Sequence, residues 1–295
     1  MAHNDKKALL QITGLVKWFP IKKWFFEKKE YVKAVDDVEF EVYEGETFGI
    51  AGESGCGKSL TALALGGLVE RADISGTIEG KPRLSYIFQN PMHSLNPVMR
   101  IGRQIGENLP AGVDSSRIDE LLEMVALPAS ASRRYPCELS GGQQQRAMIA
   151  MALAAEPDLL IADEPTTALD VTTQKEVLDL IDRLADVRGM AVLLITHNLG
   201  LVSAHSREMH VMYAGQIVES GDVRTVLSHP RHPYTRGLLG AVPSLDAPKD
   251  APLADIPGTV PPPTAWPSGC AFHPRCPHAR SGCSAPDFVR CPEMD

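Results

Sequence analysis

Short apolar runs alternate with longer stretches of mixed polarity over residues 1 to about 228. Three runs have the length and continuity of buried strands, and each either leads into a glycine or ends in a polar residue. They are "TFGIA" (47–51), "LLIAD" (159–163) and "AVLLITH" (191–197). Because helical stretches such as "LTALALGGLV" follow or separate these runs, the pattern predicts an α/β domain.

A hairpin and a helical region complete the predicted domain. The stretch "EMHVMYAGQIVESG" (208–221) predicts a β-hairpin that turns at Ala214 and Gly215. Residues 91–156 predict mostly helices and loops. Since we find no internal repeat, we expect one catalytic domain at 1–228, with a helical subdomain at about 91–156.

The pattern changes after residue 228. Residues 243–267 contain eight prolines, which favour an extended, wrapping segment over a helix. A group of four cysteines follows. We therefore predict a small Pro-rich, Cys-rich C-terminal extension at 229–295.

Composition narrows the function classes. The formal net charge of −8 argues against a general electrostatic grip on nucleic acid, which needs a positive surface. The start of the chain has no apolar stretch typical of a signal peptide. The longest purely apolar run, 147–155, is nine residues, against about 20 for a membrane span. We expect a cytoplasmic chain that needs membrane-spanning partners if it works at a membrane.

A glycine-rich loop carries the first chemical signal. The sequence "GESGCGKS" (52–59) matches G-x-x-x-x-G-K-[ST] between a strand and a helix, the context that a phosphate loop requires. Backbone amides and a helix N-terminus bind phosphate oxygens there. Lys58 would reach the β- and γ-phosphates of a nucleotide, Ser59 would ligate Mg²⁺, and Cys56 is interpreted as a small residue tolerated in the turn rather than a redox group. The predicted nucleotide-binding residues of this loop are Gly52, Glu53, Ser54, Gly55, Cys56, Gly57, Lys58, Ser59 and Leu60.

An acidic pair ends a predicted buried strand. "LLIADEP" delivers Asp163 to the carboxyl end of the strand, where nucleotide sites lie in parallel sheets. Asp163 would position the Mg²⁺ shell, and Glu164 could polarise the attacking water.

A second anion-binding helix start follows the predicted helical region. In "LSGGQQQR" (139–146), Ser140 is a good N-cap, and Gly141 and Gly142 leave amides bare beside Gln143. One nucleotide rarely needs two such sites. We therefore predict a dimer in which this helix start caps a nucleotide held by the other subunit.

The ordered motifs resemble those of the ATPase subunits of ATP-binding cassette (ABC) transporters over residues 9–228: "GESGCGKS", "FQNP", "LSGGQ", "LLIADEP", "ALD" and "ITHN". The resemblance implies that Gln89 senses the γ-phosphate and Mg²⁺ and links the site to the membrane subunits. It implies that Asp170 contacts the opposing subunit and that His197 orients the γ-phosphate and the water. By its place in "GLVKWF", Phe19 should stack on adenine.

The stretch 17–33 holds six lysines and six aromatics. Such interleaving is found in nucleic-acid and lipid-headgroup contacts. Because Pro20 interrupts any helix there, we favour a long insertion between strands near the adenine.

The tail is similar to the C-terminal region of ATPase subunits of oligopeptide, dipeptide and nickel importers, through "HPYT", "GLL" and "PSGCAFHPRCP". This resemblance implies a second ATPase subunit, typically a paralogue, two membrane permease subunits and an extracytoplasmic solute-binding protein. It also implies a location on the cytoplasmic face of the membrane. No motif in the chain identifies the solute.

Four cysteines, Cys270, Cys276, Cys283 and Cys291, fall within 22 residues without a C-x2-C pair. Zinc sites usually show such pairs, whereas separate thiolates suit a cubane. Relatives of this branch are similar in carrying a [4Fe–4S] cluster at such cysteines. Zinc, free thiols and disulfides stay open, as do His273 and His278 as alternative ligands.

The resulting hypothesis is an ATPase subunit of a peptide- or nickel-type importer, with an α/β, ABC-type P-loop core. The alternatives are a soluble ABC-type ATPase acting on nucleic acid or in iron–sulfur assembly, and an exporter subunit. The absence of a heptad run, the single cassette and the acidic charge count against the soluble alternative.

Overall fold

The computed structural model describes residues 8–21, 30–69, 73–90, 94–167, 169–242, 255–286, 288 and 291–294. The strands are β1 (Ala8–Ile21), β2 (Glu30–Tyr43), β3 (Thr47–Ala51), β4 (Asp73–Glu79), β5 (Leu84–Ile87), β6 (Leu159–Asp163), β7 (Ala191–Thr196), β8 (Glu208–Tyr213) and β9 (Gln216–Asp222). The α-helices are α1 (Lys58–Leu65), α2 (Ile101–Gly106), α3 (Ser116–Met124), α4 (Gly141–Ala154), α5 (Val171–Arg188), α6 (Leu199–His205), α7 (Val223–Ser228) and α8 (Pro233–Gly240). Among these residues, no helix is long and apolar enough to span a bilayer.

The chain divides into two compact units. The first comprises the described residues of Met1–Leu10, Glu41–Phe48 and Gly80–Ile195, and the second those of Gln11–Phe40, Gly49–Glu79 and Thr196–Asp295. The described residues of 255–294 therefore share a unit with the phosphate loop. The boundary expected after residue 228 is not a boundary between these units, and it stays a prediction.

Parallel strands form the centre of the first unit. Strand β6 lies between β5 and β7, with Leu160 opposite both Ser85 and Val192. Every residue of β6 and β7 is buried, which explains why both sequences are continuous apolar runs. In this unit the described residues 94–156 contain α2, α3, α4 and two 3₁₀ turns but no strand, in agreement with the predicted helical region.

Two antiparallel arrangements build the second unit. Strand β1 pairs with β4, from Gln11 opposite Glu79 to Trp18 opposite Asp73. Strands β8 and β9 form the predicted hairpin, and Ala214 (φ 47°) and Gly215 (φ 80°) are both left-handed at its turn. Two left-handed residues match the right-handed twist of the flanking strands.

An aromatic cluster joins the tail to the core of the second unit. The rings of Tyr213 and Tyr234 lie 4.6 Å apart, and the ring of Phe272 lies 5.2 Å and 5.4 Å from them. All three side chains are buried. The described part of the predicted Pro-rich segment, 255–267, contains no helix or strand, and 243–254 lie outside the described residues. The tail is thus held by a few large side chains rather than by a sheet.

Candidate nucleotide site and cysteine cavity

The loop that follows β3 contains glycines where its backbone has left-handed angles or packs closely against other backbone atoms. Gly52 (φ 156°) and Gly57 (φ 106°) have left-handed backbones. A Cβ atom at Gly52 would lie 2.2 Å from the carbonyl oxygen of Met212, and one at Gly57 would lie 2.5 Å from that of Ala34. Gly55 (φ 81°) has open space around it, so the backbone angle alone favours glycine there. The loop has the tight turn that phosphate binding needs.

The predicted phosphate ligand, Lys58, is buried within its own loop. Its Nζ donates to the carbonyl oxygens of Gly52 (2.9 Å) and Glu53 (3.0 Å), and lies 3.8 Å from the Sγ of Cys56. In the described part of the chain these acceptors are neutral, and a buried ammonium with neutral acceptors binds an incoming anion favourably. Ser54 and Gly55 are exposed along the loop, while Ser59 and Leu60 continue into α1 and are half-buried.

The Cys56 thiol is a packing group. It is fully buried, and burial raises its pKa, although the adjacent Lys58 acts in the opposite direction. A protonated, inaccessible thiol is a poor nucleophile. The structure therefore agrees with the interpretation of Cys56 as a small residue tolerated in the turn.

The first acidic residue at the end of β6 has a partner that sequence reasoning missed. Asp163 is buried, and its Oδ2 accepts a hydrogen bond of 2.9 Å from the Tyr86 hydroxyl. Burial, and then the charge of Asp163, raises the pKa of Tyr86 far above its ordinary value, so the hydroxyl stays a donor. The signal in the sequence is a polar aromatic in β5, "LSYI", whose carboxyl end lies beside that of β6.

Glu164 and Gln89, two of the predicted catalytic residues, are in contact. The Gln89 Nε2 donates to Glu164 Oε2 at 2.9 Å, and the Thr167 hydroxyl donates to the same oxygen at 3.0 Å. Glu164 has a left-handed backbone (φ 45°), and its N–H donates to the carbonyl of Ile195. An uncommon conformation fixed by such contacts is typical of functional positions. His197 is exposed directly after β7.

The predicted N-cap of α4 is present. Ser140 Oγ accepts from the N–H of Gln143 (3.3 Å), and Gln143 Oε1 accepts from the N–H of Ser140 (3.1 Å). This is a capping box. Ser140 and Gly141 are exposed at this helix start. At Gly142 a Cβ atom would lie 2.8 Å from Thr173 Cγ2, which explains the glycine by packing.

Asp170 caps the next helix. Its carboxylate accepts from both the hydroxyl (2.7 Å) and the N–H (3.0 Å) of Thr173 at the start of α5, and these bonds lower the pKa of Asp170. The Asp170 carboxylate is exposed at the start of this helix. Its predicted contact with an opposing subunit stays a prediction.

The aromatic stretch near the N-terminus lies partly in β1 and β2. Phe19 is half-buried in β1, and its stacking on adenine stays a prediction. Lys17 is buried, and its Nζ donates to the carbonyl of Val69 (3.2 Å). Lys33 lies 4.4 Å from the ring centre of Trp18. Burial removes Lys17 from any basic surface of the stretch, while residues 22–29 of the proposed insertion lie outside the described residues.

The four tail cysteines line one cavity, together with the two histidines named as alternative ligands. The residues are Cys270, Cys276, Cys283, Cys291, His273 and His278. None of these cysteines forms a disulfide. The Cys270 N–H donates to the Cys283 carbonyl (2.8 Å), and burial followed by the neighbouring thiols raises the pKa of Cys270. Within the described ranges, no set of three or more His, Cys, Asp or Glu side chains is arranged to hold a metal ion.

Two families match the chain. Residues 35–167 match the family described as ABC transporter, and residues 218–283 match that described as Oligopeptide/dipeptide transporter, C-terminal region. The Oligopeptide transport ATP-binding protein AppD of Bacillus subtilis (strain 168) is 45% identical over 304 aligned residues, which cover 94% of this chain and 90% of that protein.

Solved structures agree on the fold. The protein cbiO1 from Clostridium perfringens, part of the ABC transporter complex cbiONQ, has a TM-score of 0.63 at 22% identity and covers 75% of this chain and 91% of its own. A dimeric ATP-binding cassette in a post-hydrolysis state, bound to ADP and Pi, has a TM-score of 0.62 at 24% identity, with 73% and 99% covered. The predicted ABC-type P-loop fold is confirmed. The chain belongs to the family of ATP-binding subunits of ABC transporters, whose members are ATPases.

Proposed function

We propose that the chain is the ATP-hydrolysing subunit of an ABC importer of the peptide type. The observation that carries this proposal is the 45% identity with AppD, which is named an oligopeptide transport ATP-binding protein. The aligned region takes in the cassette and the cysteine-bearing tail together, and each part matches its own family. The choice of peptides over a nickel chelate rests on this analogy.

In the proposed cycle, the loop Gly52–Leu60 binds the phosphates of ATP through its backbone amides and α1. Lys58 exchanges the carbonyl oxygens of Gly52 and Glu53 for β- and γ-phosphate oxygens. Charged acceptors bind an ammonium more strongly than neutral ones, so the exchange favours the ATP-bound state. Phe19 stacks on the adenine.

Ser59, Gln89 and Asp163 hold Mg²⁺, and Glu164 acts as the base that polarises water. The hydroxyl of Tyr86 orients Asp163. The contact between Gln89 and Glu164 supports a link between γ-phosphate sensing and the base. His197 orients the γ-phosphate and the attacking water.

A second cassette completes the nucleotide site. The exposed Ser140 and Gly141 at the start of α4, with Gly142 and Gln143, cap ATP held by the other subunit, and Asp170 contacts that subunit. Activity per subunit should then rise with protein concentration or with addition of the partner ATPase, expected to be a paralogue. A high, concentration-independent rate in a verified monomer would contradict the shared site.

The remaining partners are two membrane permease subunits and an extracytoplasmic solute-binding protein. The chain is then peripheral on the cytoplasmic face of the membrane and does not act on nucleic acid. Purification of the tagged full chain from detergent-extracted membranes tests this. We expect two membrane-spanning subunits and a second ATPase to co-purify. Recovery with nucleic acid or iron–sulfur assembly proteins instead would favour the soluble alternative, which no described feature of the structure supports.

The cysteine cavity is proposed to hold a [4Fe–4S] cluster, with Zn²⁺ as the alternative. Support comes from the four thiols that line one cavity, which is the donor set of a cubane. The cluster would cross-link a tail with little secondary structure. Anaerobic preparations should contain about four irons and four labile sulfides per chain. Stoichiometric zinc without sulfide would indicate a zinc site instead of the cluster. Preparations that contain neither iron nor zinc would contradict both assignments.

A further inference from the structure

Glu53 attaches the phosphate loop to the C-terminal part of the chain. The N–H of Glu53 donates to the hydroxyl of Tyr234 (2.9 Å), which lies in the "HPYT" motif. The carboxylate of Glu53 forms a bidentate ion pair with Arg275, at 2.8 Å (Nη1 to Oε2) and 3.2 Å (Nη2 to Oε1). Both the backbone and the side chain of this loop residue are thus fixed from outside the loop.

Arg275 is built into the tail as a rigid bracket. Its Nε donates to the Pro257 carbonyl (2.9 Å), Nη2 to the Ile256 carbonyl (3.2 Å) and Nη1 to the Tyr213 hydroxyl (3.4 Å). Together with the two bonds to Glu53, these contacts match the five N–H groups of a guanidinium. The side chain is only 5% exposed. No other side chain offers this planar set of donors, because lysine has three donors on one atom.

Arg275 connects the cysteine cavity with the phosphate loop. It stands directly before Cys276 and between the first two cysteines of the cavity. Glu53 directly follows Gly52, and the carbonyls of both residues accept from Lys58. A displacement of the 270–276 segment would therefore reach the ammonium group through two side chains.

We propose that Arg275 is a positioning residue of the nucleotide site, which holds Glu53 and thereby sets the affinity of the phosphate loop for ATP. This rests on the proposed binding of ATP by the loop. The tail is then a structural part of the nucleotide site in addition to its cysteine cavity. Disruption of the tail then weakens ATP binding without removing a group that contacts the reacting phosphate.

Two single substitutions distinguish this proposal from an effect of the charge of the loop alone on ATP affinity. Arg275→Lys keeps the charge but loses the planar donor set. Glu53→Gln removes a carboxylate from the loop, which by charge alone should strengthen the binding of anionic ATP. It also keeps the bonds from Arg275 to Ile256, Pro257 and Tyr213, so the tail retains those attachments. Under the proposal, both variants bind ATP more weakly.

The matched control is Arg280→Lys. Arg280 lies in the same tail and also forms an ion pair, 2.7 Å from Nη2 to Glu293 Oε1, but its side chain is 66% exposed and its partner lies outside the loop. The measurement is the Kd for a fluorescent ATP analogue on the full chain. It is accompanied by KM for ATP and kcat in the assembled transporter, and by the metal content of each variant.

We expect Arg275→Lys and Glu53→Gln each to raise Kd and KM about tenfold while kcat at saturating ATP stays within about twofold, the split that marks lost binding rather than lost chemistry. The double variant should be no worse than either single variant, because the two residues act as one unit. Arg280→Lys should match the wild type.

An unchanged or lower Kd in Glu53→Gln would overturn the proposal. If Arg275→Lys loses its metal or exposes the tail to proteases, Glu53→Gln alone decides, since its tail contacts persist. Wild-type chain that binds no ATP would instead refute the proposed function.

Discussion

The parallel strands of the first unit and the cysteine-bearing tail of the second are stabilised in opposite ways. Every residue of β6 and β7 is buried, and paired backbone groups run along both strands. Residues 255–286, by contrast, contain no strand and no α-helix, only 3₁₀ turns at His273–Arg275 and Ser281–Ser284. Many equivalent contacts support the strands, whereas the tail depends on a few distinct groups such as Arg275 and Phe272.

The two regions should therefore respond differently to the loss of a single contact. Loss of one apolar contact in a buried strand lowers the free energy of unfolding of the whole cooperative unit. Loss of one tail contact releases a local segment, because little regular structure would propagate the effect. The chemistry divides in a similar way, with the predicted base at the end of β6 and the thiols in the tail.

The largest effect is expected at the strand end. Glu164→Gln keeps the contact with Gln89 sterically feasible but removes the base, so turnover should fall about 10²- to 10⁴-fold. ATP binding should persist, and the metal content of the tail should not change. Steady-state hydrolysis by the assembled complex is the measurement, with the Kd for ATP as its control. Near-normal turnover would contradict the assignment of Glu164.

The next effect is expected in the buried strand β6, compared with an exposed leucine. Leu160 is 1% exposed in β6, and Leu160→Ala should lower the free energy of unfolding by about 2–5 kcal/mol in denaturant titration. Leu68 is 55% exposed, and Leu68→Ala should change it by less than about 0.5 kcal/mol.

In the tail, Cys283→Ser should remove the proposed cluster and expose residues 255–294 to proteases, while ATP binding is weakened but retained. Cys137 is exposed outside the tail, and Cys137→Ser should change neither property. If Cys283→Ser lowered the main unfolding transition as much as Leu160→Ala does, the contrast between a cooperative core and a locally held tail would be wrong.

A smaller effect is expected at Tyr86. Because its hydroxyl donates to buried Asp163, Tyr86→Phe should weaken Mg²⁺ binding about tenfold, as removal of groups that orient metal ligands commonly does. The Mg²⁺ concentration that half-saturates ATP hydrolysis measures this. Tyr135 lies at the surface against Arg100, and Tyr135→Phe serves as the unaffected control. An unchanged Mg²⁺ requirement in Tyr86→Phe would remove Tyr86 from the site.

The sequence predicted the features that depend on local periodicity and local backbone chemistry. The strands β3, β6 and β7, the turn at Ala214 and Gly215, and the Ser140 cap are all present. Each follows from neighbouring residues alone: a continuous apolar run, a turn, or a side chain that caps the next helical turn.

The contacts that the sequence did not predict join distant residues. Arg275 and Glu53 are 222 positions apart, and Tyr86 and Asp163 are 77 apart. Tyr234 and Arg275, which contact Glu53, lie in the motifs "HPYT" and "FHPRC". Both motifs were evident in the sequence, but no local rule pairs them with the phosphate loop. Such pairs become visible only when the packing of the strands and the tail is known.

The most direct test of the account is ATP-driven peptide uptake by vesicles that contain the complex purified through this chain. Wild-type complex with the proposed solute-binding protein should accumulate a labelled oligopeptide only when ATP is supplied on the side of this subunit. The same complex carrying Glu164→Gln should bind ATP but accumulate none. Uptake without ATP, equal uptake by the Glu164→Gln complex, or no uptake of any peptide by an ATP-hydrolysing wild-type complex would contradict the claim that this chain powers peptide import.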